Sequence, residues 1–148
     1  HKSAAGGVHL GISEPADLDR ALDAIDRIDR TDSGYLIEAQ AADGLDLFVA
    51  VRHDSSWGAL GLLGLGGSDV EERGKVEFFA LPTSVEVIQQ RFADLLPSSS
   101  FPAANLLEVY ELLDQALTCW PDLSSFEINP LRILPSGAIA LDALATSD

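Results

Sequence analysis

Three oxygen-bearing side chains near the end of the chain could hold a divalent cation. Glu127 and Asn129 stand two residues apart in the run FEINPLRIL, and alternate residues of a strand project from the same face. Asp142 comes thirteen residues after Asn129, beyond a turn-forming Pro-Ser-Gly at residues 135–137, so a hairpin would bring it back beside the pair. Carboxylate and amide oxygens suit Mg²⁺, which keeps waters and bridges to phosphates. The same side chains would also fit ordinary polar positions on a half-exposed hairpin.

A glycine-rich run, GLGG at residues 64–67, is the second candidate for chemistry. Glycine lets main-chain N–H groups approach a phosphate closely, because no side chain stands in the way. The run lacks the lysine of a P-loop and the full G-x-G-x-x-G of a dinucleotide fold. It therefore predicts either a phosphate cradle or a glycine bend in a buried strand. His1 could be a nucleophile or phosphate carrier, whereas His9 and His53 have no metal-binding partners at usable spacing.

Hydrophobic patterning predicts the strands and helices that would position these groups. The Asp43-Gly44 dipeptide predicts a hairpin between the second and third strands. Apolar residues at spacings of three and four predict helices over residues 14–30, 83–95 and 103–119, the first of them capped by Ser13. Strands are predicted at residues 6–12, 35–40, 45–53, 59–67, 76–81, 126–134 and 138–144.

The composition limits what the chain can bind. With 148 residues, 47% of them hydrophobic, it is expected to form one globular domain with its own core. Its 24 acidic and 9 basic residues give a net charge of −15, which disfavours nucleic acids and anionic membranes as partners. No apolar run is long enough to span a bilayer. No signal peptide is expected before His1, and the cytoplasm is the expected compartment. Cys119, the single cysteine, is predicted to be inert core.

Three motifs carry a family resemblance: HKSAAGGVHLG at the start, GLGG in the middle, and FEINPL followed by GAIALDA at the end. In these motifs the chain resembles the ATP-grasp module of NDP-forming acyl-CoA synthetases, and succinyl-CoA synthetase β chains share the last motif. The resemblance covers nearly the whole chain and is expected to begin inside the module. It implies an α+β, ATP-grasp-like fold with a mixed sheet and packed helices. Residues 1–53 would form part of the lid subdomain, and residues 54–148 the core subdomain that holds metal and phosphates.

The resemblance also implies cofactors, a reaction and a set of site residues. Members of the family use ATP and Mg²⁺ to convert an acid and CoA to acyl-CoA, ADP and phosphate through a phosphohistidine, together with a CoA-binding domain or subunit. This chain alone, as one part of such a ligase, is expected to be inactive, and its assembly into homo-oligomers is left open. By position in the motifs, the metal ligands would be Glu127, Asn129 and Asp142, the phosphohistidine His1, and the nucleotide-binding residues Glu38, Ala39, Gln40, Asp46, Gly64, Gly66 and Gly67.

Several positions depart from the family pattern. Ala4 stands where an aspartate is usual, and Gly74 and Phe79 stand where relatives usually carry a lysine and an arginine. Fewer cations would then neutralise a triphosphate. The family's VQEM hinge appears here as residues 37–40, with Ala39 among them, so that the hinge carboxylate is displaced or lost. These departures favour an alternative, a degenerate ATP-grasp module without catalysis that serves regulation or protein interaction. Such a module could be fused to an acetyltransferase domain. Trp57 and Phe101, aromatic residues in predicted loops, would then be candidate contact residues.

Overall fold

The chain divides into two compact units, His1–Ala42 and Asp43–Asp148. The boundary between these units follows Ala42, and the division into a lid subdomain at residues 1–53 and a core subdomain at residues 54–148 stays a prediction. Residues 45–53 belong to a central strand of the second unit, because their alternate apolar side chains are buried in that unit's core. The computed structural model describes residues 6–28, 34–67, 75–97 and 103–147.

The first unit contains one helix in its described residues, α1 (Pro15–Ile25). Proline suits the first helical position because its fixed φ is already helical. The carboxylate of Asp17 accepts hydrogen bonds from the N–H groups of Ser13 and Glu14 at 3.1 and 3.2 Å, and the bonds from Ser13 and Glu14 hold the pKa of Asp17 below its usual value. Glu14 is the N-cap. The prediction that Ser13 caps the helix is therefore wrong, and the helix ends at Ile25 rather than at residue 30.

The segments on either side of α1 form no strand in the described part of the first unit. The predicted strands at residues 6–12 and 35–40 are therefore wrong. Gly6 and Gly11 have φ of +76° and +72°, and such residues interrupt the regular alternation that a strand requires. The two segments meet through a hydrogen bond that the Gly11 N–H donates to Gln40 Oε1 at 2.7 Å.

The second unit is built on a six-stranded sheet. Its strands are β1 (Leu45–Asp54), β2 (Gly58–Leu65), β3 (Val76–Ala80), β4 (Leu123–Leu134), β5 (Gly137–Ala140) and β6 (Ala143–Ser147). The order is β3-β2-β1-β4-β5, and β6 also pairs with β4. β1 forms its hairpin with β2, so the predicted hairpin between residues 35–40 and β1 is wrong. The α+β class is confirmed, and all ladders among the described residues are antiparallel where a mixed sheet was expected.

Two helices, α2 (Val85–Leu95) and α3 (Ala103–Cys119), cover one face of this sheet close to the predicted bounds. Tyr110 of α3 is fully buried there. Its ring packs edge-on against Phe79 at a centroid distance of 4.8 Å, and its hydroxyl donates to the Leu62 carbonyl at 2.6 Å. Alternate strand residues meet the helices in one core, formed by Leu47, Val49, Val51, Leu63, Phe79, Ile88, Phe92, Leu106, Tyr110, Leu113, Leu117, Ile128, Leu131 and Ile133.

The single cysteine, Cys119, is the last residue of helix α3. Leu113 and Leu117 turn toward the sheet and are buried. Cys119 follows two residues later, about 200° further around the helix, and is exposed. The prediction that Cys119 is core is therefore wrong. No helix in the described ranges is both long enough and apolar enough to cross a membrane.

The opposite face of the sheet, called the outer face below, carries no helix from the second unit's described residues. Because strand side chains alternate between faces, the residues that flank the buried core positions point to this side. They include Asp46 and Phe48 on β1, Leu62 on β2, Phe78 on β3, and Glu127, Asn129 and Arg132 on β4.

Candidate functional site

The ladder between β4 and its two hairpin partners is interrupted at Asn129-Pro130, opposite Leu141-Asp142. Across the interruption the Asn129 N–H donates to the Asp142 carbonyl, and the Leu141 N–H donates to the Pro130 carbonyl, both at 3.0 Å. The ladder between β1 and β4 shifts register beside the same residues. Irregularities of this kind re-aim the side chains next to them. The hairpin thus brings Asp142 beside Asn129, as the spacing predicts.

Glu127 lies two residues before Asn129 and pairs in register with Leu144, two residues after Asp142. Glu127 and Asn129 are half-buried, and Asp142 is exposed. Within the described ranges, no group of three or more His, Cys, Asp or Glu side chains has a metal-binding arrangement. The available donors are therefore one amide and two carboxylates, a set that suits a cation which also takes water and phosphate oxygens. That these three residues are metal ligands stays a prediction.

β2 ends in a turn at Gly66-Gly67 that packs against the start of β1. The Gly66 N–H donates to the Asp46 carbonyl at 2.8 Å, and a Cβ at Gly66 would stand 2.6 Å from the carbonyl carbon and oxygen of Leu47. Gly67 has φ of +90° and donates its N–H to Asn129 Oδ1 at 3.2 Å. The close approach at Gly66 and the left-handed conformation at Gly67 both favour glycine. The turn therefore lies directly beside Asn129.

An ion pair beside this turn was not predicted from the sequence. Arg132 on β4 is the register partner of Asp46 on β1. Its Nε donates to Asp46 Oδ1 at 2.7 Å, and its Nη2 donates to Asp46 Oδ2 at 2.9 Å. The two side chains are only 20% and 23% exposed, and the hydrogen bonds to Asp46 raise the pKa of Arg132 above its usual value. The one signal in the sequence was a lone arginine in the apolar run FEINPLRIL, whose partner lies 86 residues away.

Apolar side chains extend the outer face from Asn129 toward β3. Phe78 is the register partner of Leu62, and Phe48 is the register partner of Gly64. Phe78 is 56% exposed. Gly64, predicted with the phosphate loop, lies buried inside β2, where a Cβ would stand 3.4 Å from the Lys75 carbonyl oxygen, 3.5 Å from Val76 and 3.6 Å from Phe48. The three residues Phe48, Leu62 and Phe78, called the apolar patch below, thus continue the outer face away from the polar group.

The other predicted site residues lie elsewhere. Glu38, Ala39 and Gln40 belong to the first unit and are exposed. Phe79, one of the departures from the family pattern, is 6% exposed and packs in the core on the helix side of the sheet. Trp57 is 78% exposed in the turn between β1 and β2. Outside the described residues lie His1, Ala4, Gly74 and Phe101.

A family model described as an ATP-grasp domain matches residues 1–146. The acetate–CoA ligase (ADP-forming) II of Archaeoglobus fulgidus is 24% identical over 156 residues, which cover 97% of this chain and 22% of that protein. The chain therefore spans only about a fifth of the length of this relative.

Solved structures share the fold. PH1788 from Pyrococcus horikoshii Ot3 matches with a TM-score of 0.78 at 20% identity, over 100% of this chain and 70% of that chain. The dinucleotide-forming acetyl-coenzyme A synthetase 1 of Ca. Korarchaeum cryptofilum, in complex with coenzyme A and Mg-AMPPCP, matches with a TM-score of 0.72 at 20% identity, over 100% and 71% of the two chains. At these identities the likeness establishes the fold.

Proposed function

The chain belongs to the ATP-grasp domain family, and from this premise we propose that its second unit binds the phosphates of Mg²⁺·ATP around Asn129, Asp142 and the Gly66-Gly67 turn. One observation carries the proposal: the Asn129 side chain accepts the Gly67 N–H from 62 residues away, while its own N–H donates to the Asp142 carbonyl. Asn129 thus links the glycine turn to the main chain of Asp142. This place offers oxygen ligands for a cation, and the glycine turn, which carries no side chains, leaves room for phosphate beside them. The N–H groups of Gly66 and Gly67 themselves donate to Asp46 and Asn129 and hold the turn in place.

The apolar patch supports binding of a whole nucleotide at this place. Counted from β4, Phe48 lies on the first neighbouring strand, β1, Leu62 on the second, β2, and Phe78 on the third, β3. Neighbouring strands are about 4.8 Å apart, so the patch covers roughly 5 to 15 Å of the outer face beyond Asn129. Stacking of a base on an aromatic side chain contributes about 1–3 kcal/mol. We assign the base to this patch and the phosphates to the Gly66-Gly67 turn.

Mg²⁺ would be held by Asn129 and Asp142, with Glu127 as a third oxygen donor. These are hard oxygen donors, and their small number leaves places for water and phosphate oxygens. When bound, the cation would neutralise charge on the phosphates and so favour phosphoryl transfer. The contribution of the chain is to hold the donors in place: the Asn129 N–H fixes the main chain at Asp142, and the Gly67 N–H orients the Asn129 amide.

For the whole protein we propose an acid–thiol ligase reaction, in which an acid, CoA and ATP give acyl-CoA, ADP and phosphate through a phosphohistidine at His1. The chain is related to an ADP-forming acetate–CoA ligase, of which it spans 22%, and a solved relative holds coenzyme A and Mg-AMPPCP. A CoA-binding domain or subunit is the proposed partner, and the cytoplasm the proposed compartment. We further propose that the first unit contributes to the lid subdomain and the second unit to the core subdomain, and that Glu38, Ala39 and Gln40 are nucleotide-binding residues.

A second candidate function is a non-catalytic ATP-grasp module that serves regulation or protein interaction. The observation that favours it is the pairing of Arg132 with Asp46, because a guanidinium balanced by a carboxylate does less to neutralise a triphosphate. Phe79 lies in the core rather than presenting a charge to the site. In this case Trp57, which is 78% exposed, is the first residue to examine as a contact.

The proposed site predicts ATP binding that depends on Mg²⁺. Thermal unfolding of the 148-residue chain is measured with ATP plus Mg²⁺, with ATP plus EDTA, and with neither. Ligand at 100 times its Kd stabilises the folded state by about 2.7 kcal/mol, which raises the Tm by roughly 5–11 °C for a chain of this size. We expect this rise with Mg²⁺ and a much smaller one in EDTA. An equal rise in EDTA would contradict the metal site, and no rise in either would favour the non-catalytic module.

Turnover separates the two candidate functions. The whole protein is incubated with ATP, CoA and a panel of short carboxylic acids, and ADP is measured over time. Steady ADP formation that requires both CoA and an acid supports the ligase. Mg²⁺·ATP binding without ADP formation supports the non-catalytic module and leaves the binding site itself in place.

A further inference from the structure

Asp46 and Arg132 close a ring of hydrogen bonds beside the proposed phosphate site. The ring begins at the Asp46 carbonyl, which accepts the Gly66 N–H at 2.8 Å. The next residue, Gly67, donates its N–H to Asn129 Oδ1 at 3.2 Å. Three residues further along β4, Arg132 returns to the Asp46 carboxylate through two hydrogen bonds of 2.7 and 2.9 Å. One residue of β1 thus holds both the glycine turn and the strand that carries Asn129.

The ring lies where main-chain pairing between β1 and β4 is weakest. The ladder pairs Asp46 with Arg132 and then shifts register between Leu47 and Val49. A register shift leaves main-chain groups of the bulged strand without their regular partners. Side-chain bonds from Arg132 therefore fix the position of β4 next to the shift, and Asn129 lies within it. A substitution at Arg132 would therefore displace Asn129 more than it would disturb the core on the other side of the sheet.

The shape of the guanidinium matters to this ring. Two parallel N–H groups meet the two oxygens of one carboxylate, a geometry that arginine provides and lysine does not. Both side chains are about four-fifths covered, with exposures of 20% and 23%, so the pair is less screened than a surface ion pair. Neither Asp46 oxygen is left without a hydrogen bond in this arrangement, because each accepts one from Arg132.

We propose that Asp46 and Arg132 are positioning residues, which set the Gly66-Gly67 turn and the Asn129 side chain for Mg²⁺ and phosphate rather than contacting the nucleotide themselves. The proposal rests on the proposed function, and it reassigns Asp46, which the family resemblance placed among the nucleotide-binding residues. Partners that orient a metal ligand from outside its coordination shell typically change metal affinity by about 10- to 100-fold when they are replaced.

The test is Arg132→Lys, which keeps the charge and removes the two-pronged contact. Amide hydrogen exchange is followed by NMR, and Kd for ATP is measured with Mg²⁺ and with EDTA. We expect Gly66 and Gly67 to exchange about tenfold faster and Kd for Mg²⁺·ATP to rise about tenfold, with a smaller rise of Kd in EDTA, where only the contacts of the turn with phosphate are affected. The double variant Asp46→Arg/Arg132→Asp, which reverses the pair, is expected to recover part of the lost protection. The matched control is Arg91→Lys. Arg91 lies on helix α2 and pairs with Glu77 of β3 at 3.7 Å, so the same substitution changes an ion pair outside the ring.

The outcomes separate the positioning role from the proposed function. Faster exchange at Gly67 in Arg132→Lys supports the positioning role even if the wild-type chain binds no Mg²⁺·ATP, a result that would remove the proposed function alone. Unchanged exchange at Gly66 and Gly67 would overturn the positioning role. Weaker ATP binding in EDTA as well as in Mg²⁺, with an unchanged hydrogen-exchange rate at Gly67, would also overturn it. The guanidinium would then be contacting the nucleotide.

Discussion

Replacing Asp142 by asparagine is expected to weaken binding of Mg²⁺·ATP by roughly 100-fold, because replacing even a residue outside the coordination shell costs about 10- to 100-fold in metal affinity. Asparagine keeps the shape of the side chain and removes its negative charge. The main-chain carbonyl that accepts the Asn129 N–H at 3.0 Å stays in place, so the hairpin should keep its geometry. Isothermal titration calorimetry measures the Kd for ATP in the presence of Mg²⁺ and in the presence of EDTA. We expect the Kd in EDTA to be unchanged.

Asp122→Asn is the matched control for this variant. Asp122 is exposed in the turn before β4, and the substitution makes the same change of charge without altering the proposed site. We expect its Kd for Mg²⁺·ATP to equal that of the wild type. If Asp142→Asn bound Mg²⁺·ATP as tightly as Asp122→Asn, Asp142 would not be a metal ligand.

Replacing Gly66 by alanine is expected to lower the free energy of unfolding by about 3 kcal/mol, the upper end of the range for overpacking a dense site. The added Cβ would stand 2.6 Å from the carbonyl carbon and oxygen of Leu47 and 2.9 Å from its nitrogen. These are main-chain atoms in the middle of the sheet, so they cannot move aside as a flexible side chain would. The turn must shift instead, which breaks the Gly66 hydrogen bond to Asp46. Urea unfolding followed by circular dichroism measures the loss.

Gly34→Ala provides the control for Gly66→Ala. A Cβ at Gly34 would meet no atom within 4 Å, and the residue has no positive φ. Its free energy of unfolding is expected to stay within about 0.5 kcal/mol of the wild type. Equal stabilities for Gly66→Ala and Gly34→Ala would mean that the turn does not pack against β1.

The elements of the second unit were predictable because their patterns are local and their partners lie in one core. Apolar residues recur at spacings of three and four residues in helices α2 and α3. In β1 every second residue from Leu47 to Val51 is apolar and buried in the core. The hairpin that joins Asn129 to Asp142 also followed from a short stretch of sequence. The same alternation misled at residues 6–12 and 35–40, because a strand needs a paired neighbour as well as a pattern, and Gly6 and Gly11 take positive φ.

The contacts around Asn129 were not predictable in the same way. Gly67 and Asn129 are 62 residues apart, and Asp46 and Arg132 are 86 residues apart. Such contacts depend on β1 lying between β2 and β4, and no local periodicity encodes that order. The glycine run suggested a bend or a cradle, but the position of Gly66 against Leu47 becomes clear only when β1 and β2 are paired. Motif order pointed to the residues, and the sheet topology brought them together.

Substituting Mn²⁺ for Mg²⁺ in the complex with ATP tests the position of the site most directly, because the paramagnetic ion broadens the NMR signals of nuclei near it. We predict loss of the Gly66, Gly67 and Asn129 amide signals. The indole signal of Trp57 should stay sharp, since β1 runs from the turn beside Asp46 to Asp54, a distance of roughly 26 Å at about 3.3 Å per residue. Sharp signals at Gly67 and Asn129 in the presence of bound Mn²⁺·ATP would contradict the proposed site.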